Sequence, residues 1–146
     1  MADWNRVARE TLGVEAFART DGPAVAQVVM TFEAGNSPRM RGVAHVGASR
    51  GVISLPVRIV LFEPRAWGQT PPEVVAYQVA AHELGHALGL THSPDPRWIM
   101  CCVPGSVDFG DPATRETYAV ARRQPDVGTA PEELAAHYRR VWSEHR

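Results

Sequence analysis

A single α+β domain is what this chain predicts, on three grounds. Apolar, β-branched stretches recur between residues 24 and 62, a nearly all-apolar helix pattern fills residues 71 to 88, and two further helix starts follow it. With 146 residues, 45% hydrophobic and 21% charged, the chain can bury a real core and has the balance of a soluble globular protein. A net charge of -1 implies no attraction to polyanions, which argues against a nucleic-acid partner. Every basic residue is arginine. No apolar run is long enough to span a membrane, no internal repeat is present, and Met1-Ala2-Asp3-Trp4 does not open a signal peptide.

The strands come first. Ala24 to Phe32 is apolar and β-branched with partial alternation, so it predicts a central strand, closed by a Gly-Asn-Ser-Pro loop at Gly35 to Pro38. Gly42-Val43-Ala44-His45-Val46 is a short second strand, after which residues Gly47 to Gly51 turn the chain. Val52 to Phe62 is a third, interrupted or edged at Pro56, because proline brings no N–H to a ladder.

A helix from about Pro71 to Leu88 follows. Thr70-Pro71-Pro72-Glu73 has the pattern of a capping box, with Thr70 as N-cap, Pro71 at the first helical position and Glu73 three residues after the cap. Val74, Val75, Val79, Ala80, Leu84, Ala87 and Leu88 leave almost no polar face, so the helix is expected to be largely buried.

The chemistry lies at the end of that helix, in His82-Glu83-Leu84-Gly85-His86-Ala87-Leu88-Gly89-Leu90-Thr91-His92. His82 and His86 stand four residues apart on one helix face, so both imidazoles can reach one metal ion, with Glu83 beside it. Gly89 can adopt positive φ, ending the helix and turning the backbone so that His92 returns as a third ligand. Three neutral nitrogens leave the fourth tetrahedral position open to water, the pattern of one catalytic zinc rather than a structural one.

With these residues the chain resembles the metzincin metallopeptidases, whose pattern is His-Glu-x-x-His-x-x-Gly-x-x-His followed by a methionine turn. Met100, eight residues after His92, fits that turn, and Ser93 after the third histidine makes the matrixin, or matrix-metalloproteinase-like, branch the nearest. The resemblance is close from about Val79 to Met100 and vague elsewhere. It implies a zincin-like fold: a twisted mixed sheet with an antiparallel edge strand, a buried zinc-binding helix and a small C-terminal subdomain. The division would place the upper sheet and active-site helix in residues 1–92 and the lower subdomain with the Met-turn in 93–146. It further implies that His82, His86 and His92 hold zinc, that Glu83 is general base and acid, and that Met100 packs beneath the metal. The segment Val43, Ala44, His45 would then be the edge strand that binds an extended peptide substrate.

The implied function is a zinc-dependent endopeptidase acting on protein or peptide substrates, with a monomer favoured. The alternative is a non-catalytic, zinc-containing peptide-binding module descended from a metzincin. Trp4-Asn5-Arg6-Val7 followed by Leu12 and Phe17 is similar to the end of the first matrixin helix and the stretch after it. An N-terminal truncation is therefore expected, with an extracellular or secreted setting; a compact protein that works where it is made is the other option.

After Met100 the resemblance fades. Cys101-Cys102-Val103 stands where matrixins carry an aromatic and a proline, so the specificity pocket is left open. A bond between adjacent cysteines is strained, making free, partly buried thiols the expectation. Asp111-Pro112 and Thr129-Ala130-Pro131-Glu132 look like helix starts. The second places Leu134, Tyr138, Val141 and Trp142 on one apolar stripe, with Arg139 and Arg140 on the wet face. His45, His137 and His145 lack ligand spacing and read as strand or surface histidines, although His45 lies where many matrixins have a structural-zinc ligand. No calcium-type acidic loop is present.

Overall fold

The computed structural model describes residues 1–35, 41–49, 52–124, 127–128 and 130–144. The expected loop at 36–38, Gly51 in the expected turn, Thr129 and His145 lie outside the described residues.

Helix α1, Ala2–Leu12, ends at Gly13 with φ 71°, whose N–H bonds to Arg9 O at 3.0 Å. Its buried face carries Trp4, Asn5, Val7 and Ala8. Two side chains fix the helix in place. Trp4 Nε1 donates to Ala81 O at 2.9 Å, tying α1 to the later helix that carries the first two motif histidines. Asn5 clamps the returning chain, donating to Phe17 O at 2.7 Å and accepting from Phe17 N–H at 2.8 Å.

Strands β1 (Val28–Glu33), β2 (Gly42–Ser49) and β3 (Val52–Phe62) form one mixed sheet in the order β1-β3-β2. β1 runs parallel to β3 and β2 antiparallel to it, giving the mixed sheet with an antiparallel edge that the resemblance implies. The central position differs from expectation: β3, not the 24–32 segment, lies in the middle. That segment also starts later, at Val28, because the preceding residues turn and leave Val25 73% exposed. β2 is longer than Gly42–Val46 and runs on to Ser49.

Pro56 does not interrupt β3. It sits where the register shifts between His45 and Gly47 of β2, a bulge in which no ladder donor is required of it. Beyond the bulge Val57, Ile59 and Leu61 are buried, and alternation along the strand turns all three to the core.

Helix α2, Pro72–Ala87, follows within one residue of the expected span. Its cap does not match. Pro71 is the N-cap, without a side-chain bond, while Thr70 is buried and exchanges backbone hydrogen bonds with Trp67, both at 2.9 Å. The local spacing could not reveal that this turn claims Thr70. The C-terminus behaves as expected: Gly89 has φ 89°, Leu90 N–H reaches Gly85 O at 3.0 Å, and Gly89 N–H reaches His86 O at 2.9 Å, a Schellman turn.

Helix α3, Pro112–Ala121, is capped by Asp111, whose carboxylate accepts from Thr114 N–H at 2.7 Å. Helix α4, Ala130–Glu144, packs on α1. Leu134 is buried and Tyr138 packs on the core, but Trp142 is 46% exposed, so the stripe leaves the core at its last turn. Among the described residues no helix is long and apolar enough to cross a membrane.

Candidate metal centre and its cleft

The three histidines of the motif converge. His86 Nε2 lies 3.1 Å from His82 Nε2 and 3.3 Å from His92 Nε2. Zinc bound tetrahedrally at about 2.0–2.1 Å needs nitrogens about 3.3–3.4 Å apart, so the three rings fit one ion. The other ring nitrogens are committed to backbone. His82 Nδ1–H donates to Ile99 O at 2.7 Å and His86 Nδ1–H to Leu90 O at 2.8 Å, which fixes the tautomer with Nε2 free as a donor atom. The Schellman turn supplies Leu90 O, so the glycine that ends the helix also orients the second histidine.

Electrostatics favour the neutral form of His82 and His92, the form that binds metal. Burial pushes His82 down to about 4, aided by the positive charges of His86, His92 and Arg122 and opposed by the Ile99 carbonyl. His92 is lowered by burial and by His86. Glu83, only 7% exposed, is raised by burial, with the Ala44 backbone N–H pulling the other way.

Ala44 belongs to β2, so the edge strand and Glu83 meet directly. Gly42 brings them close: a Cβ there would lie 2.6 Å from Val79 Cγ1 and 3.2 Å from Glu83 Cγ. Val43 and Ala44 are half-buried and His45 is exposed opposite Arg58.

Met100 is fully buried. Its turn is stitched to the third histidine through buried Ser93: Ser93 N–H donates to Met100 O at 2.9 Å, and Val103 N–H to Ser93 O at 3.1 Å. Cys101 and Cys102 are joined to each other, a correction to the expected free thiols. This turn brings both sulfurs together, a local geometry that residue spacing cannot show. His137 is also corrected from surface to half-buried, because α4 lays it over Gly89, where a Cβ would meet its Cε1 at 2.8 Å.

The cleft, about 430 Å³, is lined by Gly42, Trp67, Val79, Tyr118 and Arg122 beside His82 and Glu83. Sequence reasoning missed Arg122 and Gln78, both buried. Gln78 Nε2 donates to Arg122 O at 2.6 Å and to Gln124 O at 3.2 Å, fastening the end of α3 to α2. A glutamine on an otherwise apolar buried helix was the one available signal.

An α+β domain with three imidazoles at zinc spacing defines the class, a candidate metalloprotein built around one helix-borne site. Residues 16–108, more than half of the chain, match the family model Peptidase_M10, Matrixin, and the chain belongs to the matrixin family. A 47-residue stretch is 46% identical to the macrophage metalloelastase of Oryctolagus cuniculus; it covers 32% of this chain and 10% of that relative. No solved structure matches.

Proposed function

We propose that this chain is a zinc-dependent endopeptidase with Glu83 as general base. The observation that carries the reading is the approach of the three Nε2 atoms to 3.1 and 3.3 Å, with two Nδ1 atoms held by backbone carbonyls. His82, His86 and His92 would hold one ion. Zinc supplies Lewis acidity there, lowering the pKa of water and stabilising the negative charge that develops on an attacked carbonyl.

Glu83 does the proton work. Its raised basicity suits it to take a proton from water during attack and to return it to the leaving amine. The β2 edge beside it holds an extended protein or peptide substrate by strand addition, with Val43, Ala44 and His45 as the paired residues. Met100, buried under the helix, supports the histidines without ligating. The same reading assigns residues 1–92 to the upper sheet and active-site helix, residues 93–146 to the lower subdomain, and the site of action to an extracellular setting.

Metal analysis of purified protein, with casein cleavage measured with and without a chelator, tests this. One zinc per chain and chelator-sensitive cleavage are expected. Zinc without cleavage of any peptide would leave the non-catalytic peptide-binding module, and no zinc at all would overturn both.

A further inference from the structure

Arg122 is 7% exposed yet has no carboxylate against it among the described residues. Its guanidinium donates to Pro96 O at 3.3 Å and Trp98 O at 2.8 Å and lies 4.4 Å over the Tyr118 ring. Carbonyl dipoles and a ring face offset only part of the cost of burying a full positive charge, and a guanidinium has five N–H donors, of which these bonds use two. This group lines the cleft that holds His82 and Glu83.

A second cation stands across the same wall. Arg41 lies 4.8 Å over Trp67, the Trp67 and Tyr118 rings meet edge to face at 5.5 Å, and Arg122 covers Tyr118. Cation, ring, ring and cation thus form one ladder along the cleft, and rings hold guanidinium planes in place better than a mobile chain would. Phe109 braces it from behind, 5.1 Å from Tyr118.

We propose that this cleft selects peptides carrying an aspartate or glutamate beside the scissile bond, with Arg122 as the specificity-determining residue and Arg41 as a second cation at the rim. The inference rests on the endopeptidase reading for its cleavage arm and stands apart from it in a binding arm. A carboxylate supplies what the buried guanidinium lacks, two parallel charge-assisted hydrogen bonds in a fixed fork. An amide of the same shape supplies neither the charge nor the fork.

Cleavage of a degenerate peptide mixture by the zinc-loaded protein, read by mass spectrometry, locates the preference. Paired peptides with Glu or Gln at that position then measure it. A Glu/Gln ratio of kcat/KM of roughly tenfold or more is expected, consistent with a buried charge-assisted pair. The ratio should approach one in Arg122→Gln, survive in part in Arg122→Lys and fall a few-fold in Arg41→Ala. Arg122 also holds the Pro96 and Trp98 carbonyls, so if its variants do not fold, the wild-type ratio and Arg41→Ala decide. The binding arm uses Glu83→Ala and the same two peptides labelled with a fluorophore.

Full cleavage with equal rates for Glu and Gln, or with an apolar preference, overturns the acidic selection and leaves the peptidase reading intact. No cleavage, but tighter binding of the Glu peptide, supports the selection and sinks the peptidase. No cleavage and equal binding overturns both.

Discussion

Met100 lies directly against Gly85: a Cβ at position 85 would meet the Met100 sulfur, with Met100 Cε at 3.1 Å and Trp4 Cζ2 at 3.2 Å. The glycine inside the motif is thus a packing requirement. It lets the turn after the third histidine rise against the helix that carries the first two. Met100→Leu preserves volume and is expected to cost under about 1.5 kcal/mol. Met100→Ala should cost roughly 2–5 kcal/mol, and Gly85→Ala about 1–3 kcal/mol by overpacking. Denaturation midpoints with zinc present check all three. A Met100→Ala protein as stable as wild type would remove Met100 from any supporting role.

Removing the base and removing a candidate ligand should have separable effects. Glu83→Ala is expected to keep the metal and lose a factor of about 10² to 10⁴ in turnover, the usual contribution of a positioned proton-transfer group. His86→Ala should lose metal and turnover together. Zinc stoichiometry and kcat for each variant are the measurements, and near wild-type cleavage by Glu83→Ala would end its assignment as base.

Trp4 supports the site from a distance. It is 1% exposed, its indole N–H bonds to Ala81 O, and Ala81 immediately precedes His82. Trp4→Phe removes that bond and part of the ring, so a loss of about 1–3 kcal/mol is expected. Zinc content should stay unchanged, because neither histidine contact runs through Trp4. A variant that loses zinc while remaining folded would show that α1 positions the metal centre.

The sequence made the candidate site legible where its logic is local. His82 and His86 share one helix face by spacing alone, with Glu83 one position along, and Gly89 announces its own positive φ. What orients the rings was hidden, because Leu90 O and Ile99 O are backbone acceptors and no residue type marks them. The mixed sheet was readable as strands, but β3 takes the centre through pairing across the chain, which hydrophobic pattern does not encode. Thr70 shows the same limit at short range: a good capping pattern lost its threonine to a turn with Trp67. Arg122 was invisible because an arginine reads as surface unless its carbonyl partners are known.

Glu133 gives the fold a pH dependence of its own. Burial, and then the negative charge of Asp95, push its carboxyl up to about 7, and its Oε2 is buried without a hydrogen-bond partner among the described residues. Asp95 stays ionised beside it because Arg97 holds it low. Below about pH 4.5 Glu133 is protonated in both states and costs nothing. Between there and about pH 7 the unfolded chain gives up the proton while the fold retains it, so stability falls as pH rises. Above pH 7 the fold carries a partly buried, unpartnered charge, at a cost on the order of 1–2 kcal/mol once partial exposure is allowed for. Glu133→Gln should therefore be more stable than wild type at pH 8, and the gap should shrink toward pH 5. Urea midpoints of the two proteins at both pH values, with zinc present, decide it: a gap that does not change with pH would mean that Glu133 ionises in the fold as it does in the unfolded chain.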